Sequence, residues 1–264
     1  MNYLKEMVRR GQVPLGLPVM EFATPGLMAI LDAAEADFVL LDMEHGCFGI
    51  DTIRRVLATA RGLDVTPIVR VPYGRYEYIS RVLDSGARGV MVPRVENAAE
   101  MAAVASAAHY PPEGIRGAAY GIAHDDFTPG DPVAKMRQAN EGVLVIAMIE
   151  SAEGLANVEA IAADPGVDVL WIGHYDLSAS LGIPGRIDDP QMVAAFDAVR
   201  DAAMANGKIA GRGVMTPGAA CKWVDAGYRM FTYSRDIELM RSHLTRDLSE
   251  CRAGFAEQKE LSHD

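Results

Sequence analysis

The stretch from Val143 to Gly173 reads VLVIAMIESAEGLANVEAIAADPGVDVLWIG. Its two ends, VLVIAMIE (143–150) and VDVLWIG (167–173), are near-continuous in Val, Ile, Leu and Met. A strand wet on one side alternates apolar and polar residues, whereas a strand covered on both sides reads as an unbroken apolar run, the mark of a parallel sheet. Ser151, just after the first run, is a side chain suited to capping a helix.

Six more runs of the same kind lie outward of this pair: PLGLPVM (14–20), FVLLD (38–42), TPIVRV (66–71), GVMVP (89–93), KIAGRGVM (208–215) and YRMFTYS (228–234). The intervals carry helix punctuation. Thr24-Pro25, Asp189-Pro190 and Thr216-Pro217 each pair a capping side chain with Pro at a first helical position, and Asp51 is a further cap candidate. Gly62, Gly207 and Gly227 stand where helices should stop. In TIRRVLATA, Ile53, Val56 and Leu57 share one helical face and leave Arg54 and Arg55 to solvent. Strand then helix, eight times over, predicts an α/β fold of the (β/α)8 TIM-barrel class. A doubly wound open sheet would show a Gly-rich phosphate turn after its first strand, and VMEFATPG (19–26) is not one.

The 264 residues exceed an average domain but suit one such barrel, so residues 1–264 are expected to form a single domain. Two stretches exceed the repeat: a long insert at about 110–141 and a C-terminal helical extension at about 236–258. Ile237, Leu239, Met240, Leu244 and Leu248 suit that extension to docking, for instance on another subunit. The formal net charge of −11, without any Lys/Arg-rich run, argues against a nucleic-acid partner. Cys47, Cys221 and Cys251 are widely spaced and form no CxxC pair, which argues against a disulfide framework or a thiolate zinc site; Cys47 reads as a small buried residue. The polar start MNYLKEMVRRGQ is no signal peptide, and no apolar run approaches the roughly 18 residues of a membrane span. A cytoplasmic protein with no membrane partner is expected.

In a barrel of this class the active site lies where the strands end. Asp42, Glu44 and His45 follow the second run, Arg70 closes the third, Arg94 follows the fourth and Glu150 ends the fifth. His174, Tyr175 and Asp176 follow the sixth, Arg212 lies in the seventh, and Ser234, Arg235 and Asp236 follow the eighth. Polar groups thus converge on one rim. Arg70, embedded in PIVRVP, needs an anionic partner, and Glu44 is one candidate. Singly, each residue has a plainer reading, Asp176 as a cap and His45 as a loop histidine. Together, two carboxylates without a Cys or His pair suit a hard divalent ion, which takes few protein oxygens and fills its shell with water and substrate. An arginine beside it holds a carboxylate or enolate oxygen, and a histidine moves a proton.

The motifs LLDMEHG (40–46), PIVRVP (67–72), VLDSGARGVMVPRVENAAE (82–100), YPPEGIRG (110–117), IAMIES (146–151) and WIGHYDLSASLG (171–182) resemble the HpcH/HpaI aldolase family over about residues 4–245. The resemblance implies a metal-dependent aldolase that reversibly cleaves 4-hydroxy-2-oxo acids to pyruvate, or a related 2-oxo acid such as hydroxypyruvate, and an aldehyde. It implies Glu150 and Asp176 as ligands of a divalent metal (Mg²⁺, Mn²⁺ or Co²⁺) and Arg70 as the contact to the keto-acid oxygens. His45 matches the histidine that moves the proton, and Asp84 an aspartate that reaches it from an adjacent subunit. Asp42 and Glu44 match acidic neighbours that orient water and the arginine, and Gly173, His174 and Tyr175 match a backbone segment that binds the substrate carboxylate. A homo-hexamer, a trimer of dimers with swapped C-terminal helices, is implied as well. Four positions depart from the pattern: Met148 where Gln is common, His174-Tyr175 where Pro-Ala is common, and His124 in place of an arginine. Two alternatives stay open: a citrate-lyase β-subunit-like lyase acting on a CoA thioester, and a barrel that binds a keto acid without turning it over.

Overall fold

The computed structural model describes residues 2–46 and 48–261; Cys47, expected to be buried, lies outside them. Eight strands form a closed parallel barrel in chain order: β1 Leu15–Val19, β2 Phe38–Asp42, β3 Thr66–Arg70, β4 Gly89–Val92, β5 Leu144–Ile149, β6 Val169–Ile172, β7 Ile209–Val214 and β8 Met230–Tyr233. β8 closes on β1 through Leu15↔Phe231 and Gly16↔Thr232. The expected (β/α)8 barrel is the fold observed, and each strand falls within its apolar run.

Unbroken apolar runs are needed because each strand has two dry faces. Phe38, Leu40, Ile68, Met91, Ile146, Met148, Val169, Trp171 and Met230 fill the barrel interior. Their chain neighbours Val39, Leu41, Val69, Val90, Val145, Ala147 and Leu170 join the outer core under the helices. The helix Tyr3–Arg9 supplies Leu4 and Met7 to the interior cluster. Asn2 fixes that helix: its Oδ1 accepts from Leu4 N–H, and its Nδ2 donates to the carbonyls of Arg88 and Gly142. Those carbonyls precede β4 and β5, so the helix plugs the end of the barrel where strands begin.

Most helix signals act as read. Asp189 caps the helix Pro190–Ala205, Thr216 the helix Pro217–Asp225, and Ser151 the helix Ala152–Ala156. Gly207, at φ +65°, lets Lys208 N–H donate back to Ala203 and ends Pro190–Ala205 in a Schellman-type turn. Two caps differ. Thr24 lends only its carbonyl to Leu27 N–H, because Pro25 and Gly26 form a turn and the helix Leu27–Ala33 starts beyond them. Asp51 sits inside the first turn of Ile50–Leu57, which Gly49 precedes; its charge there favours the helix dipole.

Residues 109–131 run between the helices Ala98–Ala108 and Pro132–Gly142 with only a short 3-10 turn, Ala123–Asp125. The last helix, Asp236–Leu261, extends past the expected end at 258. Ile237, Met240, Leu244, Leu248 and Phe255 are exposed along it. Among the described residues, no helix is long and apolar enough to cross a membrane. Cys221 and Cys251 are free and exposed.

Candidate active site

The β2–β3 register sets Asp42 beside Arg70 at the strand ends. Asp42 is fully buried, and its carboxylate does two jobs. Oδ1 accepts from the backbone N–H groups of Glu44 (2.9 Å) and His45 (3.3 Å), folding the loop after β2. It also accepts from Arg70 Nε at 2.9 Å, while Oδ2 accepts from Arg70 Nη2 at 2.5 Å. The guanidinium is therefore gripped bidentately along its Nε–Nη2 edge. Its remaining nitrogen, Nη1, lies 3.2 Å from Glu44 Oε2 and 3.7 Å from Met148 Sδ. Asp42, rather than Glu44, is the principal partner of Arg70. Burial works against the Arg70 charge, but the Asp42 hydrogen bond and the charges of Asp42, Glu44 and Glu150 outweigh it and raise the pKa.

Glu150 follows β5 and is 4% exposed. Its Oε1 accepts from the Arg94 N–H at 2.7 Å, and Arg94 holds the left-handed backbone conformation (φ +51°) at that bond. Burial, then the nearby Glu44 charge, push the Glu150 carboxyl up to about 7. Gly173 allows this packing, since a Cβ there would stand 2.5 Å from Glu150 Oε2. Burial also raises Glu44, with Arg70 opposing and Asp42 and Asp176 reinforcing the rise. Asp176 lies in the exposed first turn of the helix His174–Ser180. His45 is half exposed, with Nε2 3.9 Å from Glu44 Oε2. The His174 ring is held down to about 4 by burial and by the Arg212 charge.

These side chains surround a cleft of about 310 Å³ at the mouth of the barrel, lined by His45, Arg70, Glu150, Gly173, His174, Tyr175 and Asp176 over a floor of Leu40, Met91, Met148 and Trp171. A larger cleft, about 620 Å³, opens at the opposite end among Arg61, Arg88 and Asp126. Both of its arginines face Asp126 at 3.5 Å, and it holds none of the rim carboxylates. The side chains expected to carry chemistry therefore gather at the mouth.

Other predicted rim residues sit elsewhere. Arg212 points out of the barrel, because Gly211 and Gly213 take the inward positions of β7 beside Trp171 and Thr232. It lies over the rings of Trp223 (3.5 Å) and Phe196 (4.3 Å). The Arg94 side chain turns to Glu96 at 3.6 Å and leaves only its amide at the site. The Asp236 carboxylate accepts from the N–H groups of Met20, Glu21 and Phe22, tying the loop after β1 to the start of the last helix. The Gly173 N–H is already spent on Ile149 O, so the segment expected to bind a carboxylate has only the His174 and Tyr175 amides to offer. Asp84 ends the helix Tyr76–Asp84, which runs back from the rim, and it is bound by buried Arg116 at 2.7 Å. Within one chain it is remote from His45. His124 is tied to Ala119 O and Tyr110 Oη.

A divalent cation fits the rim. Asp42, Glu44, Glu150 and Asp176 gather around Arg70, and burial first, then the Glu44 charge, hold the Glu150 carboxyl up. The donors on offer are oxygens, as a hard dication prefers. Among the described residues no group of three or more His, Cys, Asp or Glu forms a full protein cage. Two carboxylates plus water and substrate oxygens are what a Mg²⁺-type site asks of a protein.

The family model for HpcH/HpaI aldolase/citrate lyase matches residues 20–239. Hydroxypyruvate/pyruvate aldolase of Cupriavidus necator is 32% identical over 257 residues, covering 97% of this chain and 93% of its own. 5-Keto-4-deoxy-D-glucarate aldolase of Enterobacter sp. strain 638 is 32% identical over 83% of this chain and 85% of its own. The crystal structure of an HpcH/HpaI aldolase from Desulfitobacterium hafniense DCB-2 superposes with a TM-score of 0.90 at 27% identity, covering 96% of this chain and 97% of that one.

Proposed function

This chain belongs to the HpcH/HpaI aldolase/citrate lyase family, and from that premise we propose that its rim is the active site of a class II pyruvate aldolase. The reaction is reversible cleavage of a 4-hydroxy-2-oxo acid to pyruvate, or a related 2-oxo acid such as hydroxypyruvate, and an aldehyde. The aldolases at about 32% identity support this carbon–carbon lyase activity. The observation that carries it is the guanidinium of Arg70, fixed by Asp42 beside Glu44 and the cleft-lining Glu150 and Asp176.

Aldolases of this family are generally dependent on a divalent metal; bound by Glu150 and Asp176 here, Mg²⁺, Mn²⁺ or Co²⁺ would act as a Lewis acid towards the enolate. The chain's own residues do the rest. Arg70 offers Nη1 to the keto-acid oxygens while Asp42 holds the other edge of the fork, so the donor is oriented before substrate arrives. The amides of His174 and Tyr175 take the substrate carboxylate. His45, on the exposed side of the cleft, removes the proton of the C4 hydroxyl. The C3–C4 bond breaks, its electron pair passes to C3 as the pyruvate enolate, and C4 becomes the aldehyde carbonyl. A proton returned to C3 completes pyruvate. No lysine lines the cleft among the described residues, and Lys208 Nζ is bound to the carbonyls of Asp164 and Val167 near the strand starts, so an imine route has no residue to use.

The same reading extends to assembly. Asp84 serves the His45 of a neighbouring copy, and the last helix docks on another subunit in a homo-hexamer, a trimer of dimers. The test is pyruvate release from 4-hydroxy-2-oxopentanoate by metal-stripped protein, with and without Mg²⁺, Mn²⁺ or Co²⁺. Release that requires metal and is lost in Arg70→Ala is expected. Undiminished release by Arg70→Ala, or equal release without metal, would refute the reading.

A further inference from the structure

Two arginines line the cleft at the barrel mouth, Arg70 and Arg235. Asp42 holds the Nε and Nη2 of Arg70, and its Nη1, beside Glu44, is the nitrogen offered to the keto acid in the proposed reaction. Arg235 is exposed and, among the described residues, has no ion pair within 4 Å. The acid one helical turn on, Glu238, is already held by Arg241 at 2.6 and 2.7 Å. Arg235 acts on Glu238 only through space, as the last of the influences that lower that carboxyl, and makes no salt bridge to it.

Its backbone is held on both sides. Ser234 is buried in the left-handed conformation (φ +53°) and donates its N–H to Val214 O at 2.8 Å. Asp236 is anchored by the amides of Met20, Glu21 and Phe22. Arg235 thus rises from a rigid corner after β8, on the far side of the mouth from Arg70 on β3. Between Arg235 and the carboxylates after β5 and β6, the cleft wall is Val214 and Met215, with Met20 and Pro18 on the β1 side.

The charge of the rim gives this cation a use. Four carboxylates face Arg70, and a dication with the 2-oxo acid's own carboxylate still leaves the site negative. A second anion on the substrate would be repelled unless a further cation met it. We propose that Arg235 is the specificity-determining residue for the aldehyde half of the substrate, which lies along Val214 and Met215 and presents an anionic group to the guanidinium. The inference rests on the aldolase reading and names the acceptor class for that site.

The test is aldol addition by the metal-loaded full chain, with pyruvate as donor and matched acceptor pairs: succinic semialdehyde against butanal, and glyceraldehyde 3-phosphate against glyceraldehyde. The readout is the ratio of kcat/KM, anionic over neutral, within each pair. In the wild type at least one ratio exceeds one, and the pair showing it tells carboxylate from phosphate. Arg235→Gln lowers that ratio by about ten-fold or more, chiefly through the KM of the acceptor, the scale of one charge-assisted hydrogen bond. Arg235→Lys recovers part of it, because charge is kept and the planar fork is lost. A wild-type preference for the neutral member of both pairs overturns the proposal. So does a ratio that Arg235→Gln moves by less than about two-fold, the behaviour of a merely solvated rim arginine. Exchange of the pyruvate methyl protons in D₂O, followed by NMR without acceptor, separates the two ideas. Exchange with an unmoved ratio removes Arg235 and keeps the aldolase; no exchange with any metal, and no addition, removes both.

Discussion

One oxygen of Glu150 is tied to the Arg94 amide, and the rest of its surroundings are apolar or carry mostly negative charge. That imbalance makes the stability of the protein depend on pH. Glu150 moves from an ordinary 4.5 to about 7 on folding, so the folded state binds its proton more tightly than the unfolded chain. The contribution is fully present below pH 4.5 and is lost as pH rises through about 7, amounting to at most about 3 kcal/mol. Metal-stripped protein is therefore expected to melt at a lower temperature at pH 8 than at pH 5.5. A divalent ion should restore more at pH 8, where it does not compete with the proton, and Glu150→Gln should flatten the profile. Calorimetry across that range checks all three; a profile that Glu150→Gln leaves unchanged counts against the assignment. At this scale much of the rim was legible, since a charge set into an unbroken apolar run, as in PIVRVP or VLVIAMIE, has few places to go but a strand end. The partner of Arg70 was not legible, because it depends on lateral register: Asp42 and Glu44 are close in sequence, and only the β2–β3 pairing puts Asp42 alongside.

At the scale of elements, the eight strands and most caps follow from local sequence because both faces of each strand are dry and caps are local chemistry. Which face a polar residue takes is settled by the neighbours. Arg212 shows this: Gly211 leaves room for the Trp171 ring inside the barrel, so alternation sends Arg212 outward against Trp223 and Phe196. The turn from β6 into the helix His174–Ser180 carries a sharper constraint. A Cβ on Gly173 would meet Glu150 Oε2 at 2.5 Å and Glu150 Cβ at 2.7 Å, with Met148 Cε at 3.2 Å behind. Neither the strand carrying Glu150 nor the turn can retreat without breaking the Gly173 N–H bond to Ile149 O. Gly173→Ala is expected to displace the carboxylate and weaken divalent-ion affinity by about ten-fold or more, the scale seen when groups that orient a metal ligand are lost. Titration calorimetry with Mn²⁺ reads the effect directly. Wild-type affinity in Gly173→Ala would mean that Glu150 does not hold the ion.

At the scale of the whole molecule, the last helix leaves more apolar surface than the barrel uses. Ile237, Met240, Leu244 and Leu248 recur at helical spacing, and Leu244 and Leu248 are each about half exposed. Such a row is costly to leave in water and is the surface another copy would cover. Asp84 lies at the opposite end of the barrel from His45 of its own chain, so a role beside a histidine requires a second copy. The two features make one prediction. Multi-angle light scattering of the full chain is expected to give six protomers, and Leu244→Glu with Leu248→Glu to shift it to smaller species. Because each site would then lose the neighbour's Asp84, aldol cleavage should fall with the mass, while circular dichroism still shows a folded barrel. A variant that dissociates yet keeps wild-type kcat/KM would place Asp84 outside the reaction. A variant that stays hexameric would show that the helix docks on a different face.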